Sequence, residues 1–387
     1  MKLAERMSRL GTETAFEVLA RAGELEAEGR DIIHLEIGQP DFQTPEYIIE
    51  AAHQAMKDGY TGYGPSAGLP EARERFAAYL NETRGTNYDA SQIVITPGAK
   101  PILFFAILAL VDEGDEVIVP NPGFPIYESV TEFVGATAVP APLREKREFR
   151  LDPDELGSLV SDKTKMIIIN SPHNPTGSML TMDDLEAIAE VAMANDIMVL
   201  SDEPYSKMVY DGEFHSIAEV DGMQDLTILL EGFSKTYAMT GWRLGYAAME
   251  PELAGQIAKL QTNSNSCTAS FTQIAGIAAY DGPQDESEAM MDAFEERRDV
   301  MVAGLNELPG VSCLSPAGAF YVFPNVTATG VDSRELASRC LEEAGVAVLS
   351  GTAFGEYGDG YLRLSSANNI ENINEALDRM NDLFSSL

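Results

Sequence analysis

Between about Ser91 and Tyr246 the chain alternates short β-type apolar runs with helical stretches, and no other feature constrains its fold as strongly. Ile93–Thr96, Glu116–Val119, Met166–Asn170, Ile197–Ser201, Leu226–Leu230 and Leu244–Ala248 read as strands. Stretches such as Asp183–Ala194, with Leu185, Ile188, Ala189 and Ala192 at helical spacing, read as amphipathic helices. This alternation predicts an α/β fold with a mostly parallel central sheet and helices on both faces. Met166-Ile167-Ile168-Ile169 has no polar alternation, as suits a strand covered on both sides.

Beyond about Glu286 the pattern changes. A long helical stretch, Glu286–Leu308, leads to strand-like Ala319–Phe323, a helix over Arg334–Ala344, strand-like Val346–Leu349 and Tyr361–Leu364, and a last helix from about Ile370. That order predicts a smaller α+β domain, which Ile32–Ile37 is expected to join as a strand. The expected division is a large domain over 42–285 and a small one made of 1–41 and 286–387. The 387 residues suffice for both. No internal repeat or low-complexity linker interrupts them.

Charge narrows the function. With 26 basic and 62 acidic residues the net charge is −36, which repels nucleic acid and anionic membranes. The acids are spread among periodic apolar segments, so folding is expected rather than disorder. An acidic shell of this kind, with arginine outnumbering lysine, suits a salt-rich cytosol, because salt screens its self-repulsion. The longest apolar run, Pro101–Val111, is about half of a bilayer span, and the N-terminus has no secretory apolar core. A soluble, cytoplasmic protein is expected. Cys267, Cys313 and Cys340 are too far apart for a metal knuckle, and His34, His53, His173 and His215 do not cluster.

Chemistry concentrates in four segments. Gly232-Phe233-Ser234-Lys235-Thr236 sets a lysine between hydroxyls just after an apolar strand, and Arg243 follows eight residues on. A lysine amine forms a Schiff base with an aldehyde, and an arginine fork grips phosphate; pyridoxal phosphate carries both groups. Ser171-Pro172-His173-Asn174-Pro175-Thr176-Gly177 makes a turn at a strand's carboxyl end, where α/β ligand sites lie, and Asn174 can donate to a phenolate oxygen. Asp202-Glu203-Pro204-Tyr205 follows another strand. Asp202 is placed either to keep a pyridine nitrogen protonated or to cap a helix, and Tyr205 can donate to the same phenolate. Thr96-Pro97-Gly98-Ala99-Lys100 runs from strand to helix, where free N–H groups favour a phosphate; it lacks the spacing of a nucleotide-binding P-loop. In the C-terminal part Arg363 stands inside the apolar run Tyr361–Leu364, a position that calls for an anion, either a substrate carboxylate or a structural ion pair.

Together with Ile37-Gly38-Gln39-Pro40-Asp41-Phe42, Tyr63-Gly64-Pro65-Ser66-Ala67-Gly68-Leu69-Pro70 and Gly318-Ala319-Phe320-Tyr321, these segments resemble the class I/II aminotransferases of pyridoxal-phosphate fold type I. The resemblance runs over nearly the whole chain and is closest to the bacterial and archaeal aspartate aminotransferase branch. It implies that Lys235 is the residue joined to the cofactor aldehyde and the proton carrier at the substrate's Cα. It further implies that Asp202 pairs with the ring nitrogen, that Asn174 and Tyr205 hold the phenolate oxygen, and that Phe124 stacks on the ring. Gly98, Ala99, Ser234 and Arg243 would face the phosphate. Tyr63 would reach the phosphate of a neighbouring subunit, so a homodimer with shared sites is implied. Arg363 would clamp the substrate's α-carboxylate, helped by the Gly38 N–H.

Two positions depart from the family pattern. Gly232 stands where a serine is frequent, and no arginine lies between Arg243 and Arg297 to read a side-chain carboxylate across a subunit boundary. Lys100 matches a lysine that takes this task in the related branch, with a phosphate contact as its other reading. The expected substrates are aspartate or glutamate with a 2-oxo acid such as 2-oxoglutarate. Alanine, aromatic amino acids or kynurenine, and a related β-elimination, are the alternatives; a non-catalytic sensor would need a DNA-binding module for which the segment before Gly38 is too short.

Overall fold

A computed structural model describes residues 3–387. After a two-residue strand β1 (Ile33–His34), seven strands make one sheet: β2 (Ile93–Thr96), β3 (Glu116–Asn121), β4 (Thr137–Pro142), β5 (Thr164–Asn170), β6 (Met198–Asp202), β7 (Thr227–Gly232) and β8 (Gly245–Ala248). Their order is β2-β8-β7-β6-β5-β3-β4, and only β8 runs antiparallel to its neighbours. The expected mostly parallel sheet is therefore present.

The uniform apolar character of β5 has a simple cause. Met166 and Ile168 join one buried cluster and Ile167 and Ile169 another, because successive side chains leave a strand on opposite faces. Helix Lys100–Leu110 covers the first face, and helix Met182–Asn195 covers the second. The latter begins with a capping box in which Thr181 and Asp184 bond each other's backbone N–H, and it stops at Asp196 in the left-handed region, φ 53°. Strand β4 is absent from the expectations. It lies at the sheet edge and contains Pro140 and Pro142, which an edge tolerates and which erase the sequence signal of a strand.

A second core forms where the C-terminal elements meet the N-terminal strand. β1 pairs in parallel with β10 (Val346–Ala347), while β11 (Leu349–Ser350) and β9 (Tyr321–Val322) flank β12 (Leu362–Ser365). Helices Asp285–Glu307 and Ile370–Phe384 close over them, burying Met301, Leu305, Ile373 and Met380 with Leu35, Val346 and Leu364. The strand expected over Ile32–Ile37 shortens to two residues, because the chain turns away at Ile37-Gly38 to line a cavity. The helix expected over Arg334–Ala344 is α-helical over Ser333–Arg339 and widens to a π turn over Cys340–Ala344. None of the described helices is long and apolar enough to cross a membrane.

One buried ionic group ties the sheet to its covering helices. Arg84, the last residue of helix Pro70–Arg84, bonds Glu203 at 3.0 Å and Glu231 at 2.8 Å, and all three side chains are at most 4% exposed. Ser201 and Ser216 donate to Glu203, and Ser206 donates to Glu231. One cation faces two carboxylates, and burial pushes Glu231 up to about 7 and Glu203 upward as well. Removing the cation should be costly. Arg84→Met is expected to lose about 3–5 kcal/mol of stability at neutral pH, the range for breaking a buried pair. Carboxyls raised in the folded state stabilise it below their unfolded pKa and lose that contribution as pH rises. The loss, measured by urea unfolding, should therefore be smaller at about pH 5.5 than at about pH 8; an equal loss at both would contradict the arrangement.

Candidate active site

The carboxyl ends of β5, β6 and β7 open into a cavity of about 490 Å³, the place where open α/β sheets bind ligands. Its walls come from both cores: Asn174, Asp202 and Lys235 from the large sheet, Gly38, Tyr321 and Arg363 from the second. A roomier hollow of about 860 Å³ lies by Arg9 and Glu128 but is lined by no lysine or histidine.

Asp202 ends β6, so no helix follows for it to cap; the helix-cap alternative is excluded by the fold. Its carboxylate is 6% exposed and accepts a 2.6 Å hydrogen bond from the Tyr127 hydroxyl. Burial pushes it up to about 6, against the downward pull of that hydrogen bond. Asn170 fixes the neighbouring turn by donating to the Asp202 carbonyl at 2.7 Å and accepting the Asn174 N–H at 2.8 Å. The Asn174 side-chain oxygen accepts from Arg363 Nη1 at 3.3 Å, which leaves its amide N–H groups for the cavity. Tyr205 shares a 3.1 Å hydrogen bond with Tyr321, both hydroxyls being buried.

Lys235 follows β7 directly, and its amine donates 2.5 Å to the Gly38 carbonyl. Enclosure by the cavity walls, with Arg363, Lys100 and Arg243 nearby, pulls this amine down to about 7. Gly38 meets the lysine through its carbonyl. A β-carbon there would fall 1.8 Å from the Tyr321 hydroxyl, so close approach requires glycine.

Arg363, on β12, is 4% exposed. It donates to Asn174 and to the Glu36 carbonyl, its Nε has no partner, and among the described residues no carboxylate lies within salt-bridge distance of it. Burial lowers its pKa. A buried guanidinium held by neutral oxygens and stacked 4.5 Å over Tyr321 is short of one anion.

At the opposite wall, helix Lys100–Leu110 starts beside Ala99, and Gly98 takes φ +90°. A β-carbon at Gly98 would lie 2.2 Å from the Arg243 guanidinium, which packs in its place. Ser234 and Arg243 line the same wall. At Gly232 the nearest atom to an added β-carbon would be Ala99 Cβ at 3.4 Å; a hydroxyl is simply missing there, and Thr240 lines the cavity nearby. The Phe124 ring forms another wall, with the Lys100 amine 5.0 Å from its centroid. Lys100 forms an ion pair with Glu13. Tyr63 stands apart from the cavity, 93% exposed. Sequence reasoning missed Tyr127, Asn170 and Glu13; Tyr127 and Glu13 act through partners distant in the chain, whereas Asn170, at the end of β5 and four residues before Asn174, had a local signal.

A lowered lysine is directly testable. On protein stripped of small molecules, acylation of Lys235, followed by peptide mapping across pH, should be half-maximal near pH 7. A midpoint near about 10, as for a lysine in water, would show that enclosure has no effect.

The cavity thus gathers a lysine lowered towards neutrality, a buried aspartate and two arginines that have no carboxylate partner among the described residues. The family model for aminotransferase class I and II covers residues 30–380. An aspartate aminotransferase of Bacillus subtilis is 40% identical over 98% of both chains, and an aromatic-amino-acid aminotransferase of Thermococcus litoralis is 40% identical over 98% of this chain and 97% of its own length. The solved structure of an aspartate aminotransferase from Thermus thermophilus with maleate superposes with a TM-score of 0.95 at 34% identity, covering 99% of this chain and 100% of that one. By sequence and by fold alike, this chain belongs to the class I and II aminotransferases and is a pyridoxal-phosphate-dependent transaminase of fold type I.

Proposed function

We propose that the protein moves the amino group of aspartate or glutamate to a 2-oxo acid such as 2-oxoglutarate, in amino-acid metabolism and biosynthesis. The carrying observation is that Lys235, Asp202 and Arg363 converge on one cavity. The residues fit the cofactor: an arginine fork beside a glycine of positive φ, a helix start and a buried carboxylate lie around the cavity.

In this reading, pyridoxal phosphate supplies, when bound, the electron sink that makes an amino acid's Cα proton removable. Lys235 anchors the cofactor, and its amine, already lowered towards neutrality, takes that proton and returns it. Asp202 keeps a proton at the ring nitrogen, and Tyr127 holds the carboxylate in line for it. Asn174 and Tyr205 would hold the phenolate oxygen, Phe124 would pack on the ring, and Ala99, Gly98, Ser234 and Arg243 would hold the phosphate. Arg363 takes the substrate's α-carboxylate, the anion it is short of, and so orients the Cα–H bond. The Gly38 N–H donates to the same carboxylate, while the Gly38 carbonyl holds the Lys235 amine. Lys100 takes the side-chain carboxylate of the substrate.

Lys235→Ala is expected to abolish both the yellow colour of the holoenzyme and turnover; near-normal activity would refute the assignment. Lys100→Ala should lower kcat/KM for aspartate about 10- to 100-fold, the worth of one charge-assisted hydrogen bond, while aromatic turnover is kept. Equal losses for both would assign Lys100 to the phosphate. A half-reaction panel of amino acids ranks the donors.

The exposed Tyr63 and the shared-site pattern support a homodimer in which this residue enters the partner's site. The acidic surface supports a salt-rich cytoplasm. Residues 42–285 and 1–41 with 286–387 are taken as the two domains. Light scattering and thermal melts in about 0.1 M and about 2 M potassium chloride test the assembly and the salt requirement. The mass of two chains and a melting temperature that rises with salt are expected; a single-chain mass or flat melting would count against them.

A further inference from the structure

Lys100 faces the cavity already paired. Its partner, Glu13, immediately precedes helix Thr14–Ala27 and makes no capping hydrogen bond to it, so the carboxylate is spent on Lys100 instead. Both residues line the cavity, beside Phe16, Leu103 and Phe124. Among the described residues Glu13 is the one carboxylate within salt-bridge distance of Lys100. The two side chains are 24% and 40% exposed, so the pair sits at the solvated mouth and not in the dry interior. Such a pair is weak enough to be exchanged for another of the same chemistry.

We propose that Glu13 is a built-in occupant of the substrate's side-chain anion subsite and thereby sets specificity. A substrate with a side-chain carboxylate displaces Glu13 from Lys100. A substrate with a neutral or aromatic side chain leaves the pair intact and packs on Phe16 and Leu103, so no unpaired ammonium faces it. One cavity then serves both kinds of donor, and the balance between them is set by the Glu13 charge. The inference rests on the proposed role of Lys100 and adds a residue to it.

The test uses the holoenzyme and two inhibitors that share one carboxylate and differ at the other end: maleate, a dicarboxylate, and 3-phenylpropanoate, an aromatic monocarboxylate. Dissociation constants are read from the cofactor absorbance for wild type, Glu13→Gln, Lys100→Ala and the double variant. Glu13→Gln should tighten maleate about fivefold, the scale of a solvent-exposed ion pair, and should not tighten 3-phenylpropanoate. In the Lys100→Ala background the same change should lose its effect on maleate, which marks coupling through that amine. Should Glu13→Gln leave the ratio of the two constants unchanged while Lys100→Ala still weakens maleate, the proposal fails and the role of Lys100 stands. If Lys100→Ala leaves maleate binding untouched, the proposal falls together with the reading beneath it. Glu13→Asp, which keeps the charge on a shorter arm, should stay near wild type; behaviour like Glu13→Gln would attribute the effect to shape and overturn the proposal.

Discussion

Charge removed from water is the constraint on which this cavity rests. An ammonium, a carboxylate and a guanidinium meet there, and each is unfavourable in a dry setting unless something answers it. The protein answers them incompletely. Lys235 is drawn towards its neutral form, Asp202 is pushed up despite the Tyr127 hydroxyl, and Arg363 leans on neutral oxygens. Such unfinished solvation is reactive: the groups are ready to accept partners that bring opposite charge, and a cofactor phosphate, a pyridine nitrogen and a substrate carboxylate are partners of that kind.

Holding these groups in place falls to a second ionic layer. Glu203 follows Asp202 in sequence, and Glu231 precedes Gly232, so the anchor on Arg84 reaches both strand ends that carry the chemistry. Ion pairs of this depth contribute little net stability compared with an apolar filling, yet they are costly to break singly. Their value here lies in position, since Ser201 and Ser216 hold one Glu203 oxygen, Ser206 holds one Glu231 oxygen and the Gly232 N–H the other, which fixes the ends of β6 and β7.

The sheet was largely legible because its strands are buried on both faces, which writes an unbroken apolar run into the sequence. β4 escaped because an edge tolerates proline, and β1 came out too long because apolar residues at Leu35 and Ile37 serve a core and a cavity rather than a ladder. Lys235, Asp202, Asn174 and Arg363 could be found because each stands beside a strand end or in a strand where a charged or amide group needs a reason. Tyr127 and Glu13 could not, since the reason for each lies about 75 and 87 residues away, in Asp202 and Lys100. Separation in sequence hides a contact that folding makes short. Tyr63 shows the opposite case, a position legible by resemblance that the single chain leaves in solvent.

The turn at Gly98 has a further meaning. Because φ there is +90° any side chain would be strained, and a β-carbon would also displace the Arg243 guanidinium that lies 2.2 Å from its position. An alanine would both strain the backbone and push the Arg243 fork aside. The missing methyl at this turn is thus what lets the guanidinium lie flat against the backbone beside the helix start.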